Sequence, residues 1–301
     1  MIGVAPKSEA NYRNSKHLDL INAPIAWEET MGQGVEIALL DSGVDDTHPD
    51  LIDNISGCMD LTNTTIEDLT GHGTHCAGVM VAAYTSDGIT GVAPEARVYS
   101  YKVIGHENEG HIEEVNRALR HAIDRDVDII NMSLGLVRHP GAEMELLIME
   151  AYEKGIVMIA ASGNQNSRVL YPARFDQVIA VSGVDQMLHR AKFSNYGIEN
   201  EVCAPATNIA STYKNRKYAL LSGTSMAAPM VSGACALYIS VLKESFDKSM
   251  VQKYLLHDIK SSSKDLGIDG KDEEFGWGIL DTGKFVSNAV ERKLKDSSKS
   301  M

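Results

Sequence analysis

The sequence predicts a single-domain α/β protein with a mostly parallel central sheet and helices on both faces. Three observations predict it. Short apolar runs rich in β-branched residues, such as 35–40 and 178–184, alternate with longer stretches of helical periodicity. The runs carry little polar alternation, as strands buried on both faces do. The 301 residues, 44% of them hydrophobic with 25 glycines, can bury one large core. No internal repeat and no second domain is legible.

Taken in order, the first strand is 35–41, closing on Asp41 and the turn Ser42-Gly43, and a polar loop follows to Leu69. His72 opens a helix of small residues that runs to about Ala83. A second strand is expected over 97–104. The helix over 111–125 places Ile112, Val115, Leu119, Ala122 and Ile123 on one face. Strands over 127–134 and 156–161 flank a helix over 142–154, and 178–184 is a further buried strand. Residues 192–221 alternate short strands and turns, which predicts an antiparallel edge. A buried helix over 225–243 carries Ala227, Ala228, Val231, Ala234, Leu237 and Ile239, and Pro229 is tolerated in its first turn. An amphipathic helix near 248–258, a Gly/Asp-rich loop and Phe275-Gly276-Trp277-Gly278 come next. From Lys284 the chain leads into a lysine- and serine-rich tail expected to fray.

Composition excludes several classes of function. With 41 acidic and 28 basic residues the formal charge is −13, which argues against nucleic acid and anionic membrane as partners. No apolar run reaches transmembrane length by this reading, and the N-terminus lacks a basic region followed by an apolar one. The expected location is therefore cytoplasmic. Cys58, Cys76, Cys203 and Cys235 lie far apart with no CxxC or zinc spacing, and Cys76 and Cys235 are expected to be buried and reduced.

Three stretches carry chemistry. Val35-Glu36-Ile37-Ala38-Leu39-Leu40-Asp41 delivers a carboxylate at the carboxyl end of a buried strand. Gly71-His72-Gly73-Thr74-His75 starts a helix with an imidazole. Gly223-Thr224-Ser225-Met226-Ala227 turns a serine into the first helical turn, where free amides and the dipole favour negative charge. Each alone has an ordinary explanation, as a turn aspartate, a structural histidine or an N-cap serine. Together they supply a group to orient, a base and a nucleophile. Cys76 as a rival nucleophile lacks a base and orienter of its own.

With Asp41-Ser42-Gly43-Val44 and His48-Pro49-Asp50 ahead of the histidine and serine motifs, the chain resembles the subtilisin family of serine proteases over roughly residues 20–285. The order Asp, His, Ser matches that family and differs from the chymotrypsin and α/β-hydrolase orders. The resemblance implies a three-layer subtilisin-like fold, a triad of Asp41, His72 and Ser225, and an oxyanion hole formed by the Asn164 side chain and the Ser225 amide. It places the substrate edges at Glu107, Asn108, Glu109, Gly110 and Ile112 on one side and Ser133, Leu134 and Gly135 on the other. Leu170 stands at the base of the primary specificity pocket, where the secreted members have glycine. Relatives bind a structural calcium ion at positions matching Asp50, Thr85 and Asp87; Thr85 replaces an asparagine ligand there. Met230 replaces a histidine that is not part of the triad. The implied division is an N-terminal extension over 1–20, a peptidase domain over 21–285 and a polar tail over 286–301. Residues 1–12 are candidates for lying over the active site, as short extensions of intracellular relatives do.

The leading expectation is thus an intracellular serine endopeptidase acting on peptides or proteins without a catalytic cofactor, with a homodimer as a candidate assembly. Within that class, broad protein turnover competes with dedicated removal of leader peptides. From other classes come a catalytically silent binding protein of the same fold, which the intact triad argues against, and a nucleotide-binding protein, for which GxGxxG and the P-loop are both lacking.

Overall fold

A computed structural model of the chain describes residues 16–85, 88–105 and 110–298. In chain order the described elements are α1 (Lys16–Leu20), α2 (Ala23–Ala26), β1 (Glu36–Asp41), β2 (Ile55–Asp60), α3 (His72–Val81), β3 (Arg97–Lys102), α4 (Ile112–Asp124), β4 (Ile129–Met132), α5 (Ala142–Glu153), β5 (Val157–Ala161), β6 (Val178–Val184), β7 (Asn200–Pro205), β8 (Ile209–Tyr213), β9 (Lys217–Leu221), α6 (Thr224–Leu242), α7 (Lys248–Ser262), β10 (Ser263–Lys264), β11 (Ile279–Leu280) and α8 (Thr282–Ser297). Nine strands form one sheet in the order β10-β11-β7-β6-β5-β4-β1-β3-β2, and β8 pairs with β9 separately. Every pairing in the large sheet is parallel except β10 with β11.

Strand β1 shows why the apolar runs read as they do. Ile37 and Leu39 enter a core shared with Met80 of α3, Leu237 of α6, Leu255 of α7 and Phe285 of α8. Ala38 and Leu40 enter the other core, with Leu119 of α4 and Ile148 of α5. A strand covered on both faces has no side for water, so both sets of alternating residues are apolar. The strand order turns back at β1, which has β3 on one side and β4 on the other. The crevice outside the carboxyl ends of strands at such a reversal is where open α/β sheets hold their sites.

Four local readings differ from the structure. The loop after β1 contains a strand, β2, whose residues are all only half-buried at the edge of the sheet and so lack an apolar run. Residues 192–221 are not wholly an antiparallel edge, since β7 joins the parallel sheet and β8 with β9 alone is antiparallel. The stretch expected to fray is α8: Asp281 caps it by accepting from Lys284 N, Phe285, Val286 and Ala289 are buried, and Phe285 stacks on Tyr238 with centroids 4.4 Å apart. Finally α6, with 19 residues, is long and apolar enough by length and composition to cross a membrane. Here that surface is buried inside the fold, from Met226 at its first turn to Leu242 at its last.

Candidate active site

The carboxyl end of β1 carries Asp41, which is fully buried, and the first turn of α3 carries His72. Their approach depends on Gly73: a Cβ there would stand 2.1 Å from Gly43 O and 3.2 Å from Asp41 Oδ1. His72 Nδ1 lies 2.7 Å from Asp41 Oδ1, and Ser42 N donates to the same oxygen at 2.7 Å. The carboxylate accepts, so Nδ1 carries the proton and Nε2 keeps its lone pair. Asp41 Oδ2 is buried and has no hydrogen-bond partner among the described residues. Few donors therefore share the charge of Asp41, and the imidazole receives most of its field. Burial opposes the charged imidazolium, but the adjacent Asp41 carboxylate outweighs it and holds the His72 pKa well above the ordinary value of 6.5. The Cys76 thiol lies 3.8 Å from Nδ1. Burial pushes its own pKa up.

The nucleophile candidate, Ser225, is half-buried in the first turn of α6, which Gly223 opens. Its Oγ donates to Ser133 O at 3.3 Å rather than to His72. The Ser133 hydroxyl in turn donates to Ser225 O at 3.0 Å, and the Cys76 thiol donates to the same carbonyl at 3.3 Å. Cys76 thus touches both the imidazole and the backbone of Ser225. Resting geometry of this kind is usual without substrate, and proton-transfer contacts tighten on binding.

Asn164 follows β5 on an exposed loop. Its Oδ1 accepts from Thr224 N at 2.8 Å and Thr224 Oγ1 at 3.0 Å. Two donors on one end identify it as the oxygen and leave Nδ2 beside Gly223, 3.2 Å from where a Cβ would stand. The structure therefore brings Asp41, His72, Ser225 and Asn164 to one edge of the sheet.

Of the expected substrate edges, Ser133, Leu134 and Gly135 continue β4. Leu136, the residue after them, exchanges backbone hydrogen bonds with Tyr171 at 2.7 and 3.0 Å. Leu170 lies between them and the β5 end: its Cδ1 is 2.7 Å from a Cβ placed on Gly135 and 2.9 Å from one placed on Gly163. The slot between the two strand ends is therefore filled by a leucine side chain. Gly110 is exposed, with a would-be Cβ 2.9 Å from Val103 O, and half-buried Ile112 packs on the core under α4. Glu107, Asn108 and Glu109 lie outside the described residues, as do residues 1–15 of the extension.

Two places invite a metal. Asp41, His72 and Cys76 bring their ligand atoms within 4.8 Å of one another. However, Nδ1 and Oδ1 at 2.7 Å are closer than the roughly 3.3 Å that two tetrahedral zinc ligands would keep, so the group is a hydrogen-bonded pair with a thiol beneath it. The second place is Asp50, which is buried. Its Oδ2 already accepts from Tyr218 Oη at 2.8 Å and Ile89 N at 3.1 Å. Thr85 is exposed, and Asp87 lies outside the described residues. Among the described residues, one oxygen of the Asp50 carboxylate is thus already engaged by an N–H and an O–H group, and the remaining expected ligands of a calcium ion fall in the stretch around 85–87.

Two polar hubs escape motif reading. Buried Asp68 accepts from the Ser42 and Thr70 hydroxyls and from Gly71 N on one oxygen, and from Thr74 N and Oγ1 on the other. It ties the end of β1 to the start of α3. Asn195 does the corresponding work for the loop after β5, through Gln165, Ser167 and Arg168. A polar residue inside a turn-rich stretch is all that either one shows in the sequence.

The sequence profile of the subtilase family matches residues 32–278. Over 247 residues, 77% of each chain, this chain is 39% identical to the major intracellular serine protease of Bacillus subtilis strain 168. It is 41% identical over 221 residues to subtilisin BL of Lederbergia lenta, covering 72% of this chain and 81% of that one. An intracellular serine protease of Paenibacillus polymyxa is 34% identical over 275 residues, 87% of this chain and 83% of the relative.

Proposed function

The chain belongs to the subtilase family of serine proteases, and from that premise we propose that it is an intracellular endopeptidase working through Asp41, His72 and Ser225. The reading rests above all on the 2.7 Å hydrogen bond between a buried carboxylate and an imidazole whose Nε2 makes no hydrogen bond among the described residues. Asp41 fixes the tautomer and supports the imidazolium that forms. Ser225 Oγ turns from Ser133 O to His72 Nε2 and loses its proton there as it bonds to the substrate carbonyl carbon. The carbonyl electron pair moves onto oxygen, where Asn164 Nδ2 and the Ser225 amide receive it at the positive end of α6. Collapse breaks the C–N bond, and the leaving amine takes the proton from Nε2. Water then repeats the sequence on the acyl-enzyme. Labelling by a fluorophosphonate tests the assignment: wild type should react at Ser225 and Ser225→Ala should not.

Broad turnover is the role we assign. The names of the relatives, intracellular serine proteases, support the location and the reaction class that such a role needs. Leader-peptide removal is the alternative, and digestion of casein beside a panel of leader-bearing peptides separates the two. Leu170, wedged between Gly135 and Gly163, is assigned as the floor of the primary pocket, favouring small or slender P1 side chains over large aromatic ones. Ser133, Leu134 and Gly135 are assigned as one backbone edge for an extended substrate, and Gly110 with Ile112 belongs to the facing one. Because Asp50 Oδ2 already accepts from Tyr218 and Ile89, we propose that calcium adds little stability at that carboxylate.

A further inference from the structure

We infer that Asn195 is a positioning residue for Asn164: its buried carboxamide holds the 162–168 loop in the shape that aims the oxyanion donor. The inference rests on the oxyanion reading of Asn164 given above.

Asn195 is fully buried and lies outside the residues expected to meet substrate. Its Oδ1 accepts from Gln165 N at 2.9 Å and Ser167 N at 3.0 Å. The two hydrogens of its Nδ2 are shared among Ser162 O at 3.1 Å, Arg168 O at 2.8 Å and Gln165 Oε1 at 3.1 Å. One carboxamide therefore satisfies backbone groups at 162, 165, 167 and 168, so the loop is wound around it. The backbone adds Asn195 N to Gly163 O at 3.0 Å, Asn166 N to Phe193 O at 2.8 Å and Tyr196 N to Ser167 O at 2.8 Å. Gly163 makes room for the arrangement. Its φ is +113°, and a Cβ there would stand 2.2 Å from Asn195 Nδ2.

The link to Asn164 is short. Asn164 N donates to Gln165 Oε1 at 3.0 Å, the same oxygen that Asn195 Nδ2 holds. The Asn164 backbone is thus set from Asn195 through Gln165, while its side-chain oxygen is set from Thr224. An oxyanion donor acts only if its hydrogens sit where the oxygen will arrive, and a misplacement of about 1 Å can cost on the order of 10² in rate. A buried, fully bonded carboxamide suits this task, because every alternative loop shape leaves one of its groups unpaired.

A double-mutant cycle on kcat tests the inference. Asn195→Ala should lower kcat by roughly 10- to 100-fold with KM changed less than about threefold. In an Asn164→Ala background the same change should lower kcat by no more than about twofold, because the donor it aims is gone. Gln165→Ala, an exposed position that leaves the Asn195 backbone contacts in place, should give a smaller loss of kcat that also disappears without Asn164; it carries the test if Asn195→Ala does not fold. Equal losses in both backgrounds, or a loss confined to KM, would overturn the positioning role while leaving the oxyanion reading intact. If Asn164→Ala is itself silent in kcat, the oxyanion reading falls and this inference falls with it.

Discussion

The two halves of the proposed site are built from opposite materials. The proton-transfer half joins β1 to α3 and is made of charge: fully buried Asp41 against His72, with buried Asp68 beneath collecting donors from Ser42, Thr70, Gly71 and Thr74. The acceptor half joins β5 to α6 and is made of neutral dipoles: the exposed Asn164 carboxamide, the amides opening α6, and Asn195 below. The difference follows from the reaction. A proton acceptor needs a permanent counter-charge kept out of water, where it is strongest. An oxyanion is transient, so fixed dipoles suit it and a resident cation is unnecessary.

Breaking the charged half should have the largest effect. Ser225→Ala or His72→Ala should each cost on the order of 10⁶ in kcat, and the pair together little more, because base and nucleophile act as one unit. That scale is carried over from subtilisin, a member of the same family. Near-wild-type cleavage by either purified variant would remove that residue from the mechanism. Breaking the neutral half should cost less: Asn164→Ala should lower kcat by roughly 10²–10³ with KM little changed, again on subtilisin's scale. A change in KM alone would exclude it from the oxyanion hole.

The charged half is also the more legible in sequence, and for a physical reason. A strand buried on both faces shows as an uninterrupted apolar run, and Asp41 at its end stands out against Ile37–Leu40 as the first charge. The small residues around His72 and Ser225 advertise helices packed close to backbone. Asp68 and Asn195 stay hidden, because their donors come from positions that only the fold assembles, and Glu67-Asp68-Leu69-Thr70 and Ser194-Asn195-Tyr196-Gly197 read as ordinary turns. Strand β2 and helix α8 escape for a related reason. The first is half-buried throughout, and the polar face of the second, rich in lysine and serine, masks the stripe of Phe285, Val286 and Ala289.

Acidity sharpens the contrast, since only the charged half titrates. The base works when neutral, and the Asp41 carboxylate, against the cost of burial, holds the His72 pKa well above 6.5. Turnover should therefore fall about tenfold per pH unit on the acid side of that raised value, and the limb should lie at higher pH than for an ordinary histidine. Stability runs the other way. A raised histidine stabilises the fold fully below its unfolded pKa, about 6.5, and loses that contribution as pH climbs through the folded value. Buried His75 and His17 have the opposite sign, with burial lowering them to about 3 and about 4. Comparing melting temperatures of wild type and His72→Ala from pH 6 to 9 isolates the first effect. The advantage of wild type should shrink with rising pH, and a constant or growing advantage would contradict a raised His72.

A smaller effect is expected where the acceptor half meets the substrate side chain. Leu170 fills the slot between Gly135 and Gly163, so Leu170→Gly should raise kcat/KM for Phe or Tyr at P1 about tenfold or more relative to Ala. A peptide library varied at P1 measures this, and an unchanged ranking would show that the pocket floor lies elsewhere.

The smallest effect is expected at Asp50, away from both halves. Its carboxylate is buried, and Oδ2 is met by the Tyr218 phenol and Ile89 N, donors whose hydrogens stand where a cation on that oxygen would have to approach. An oxygen that already answers its charge with two hydrogen bonds gains little from an ion, because binding there would first have to strip those donors away. Chelation by EDTA should therefore shift the melting temperature by less than about 1 °C, since only a ligand held by the folded state adds to its stability. Tyr218→Phe should instead cost about 1.5–3 kcal/mol, the worth of a hydrogen bond to a charged group. The two measurements together are decisive. A fall of several degrees in EDTA, restored by calcium, with Tyr218→Phe silent, would mean that the chain around 85–89 closes on an ion and that the phenol is a bystander.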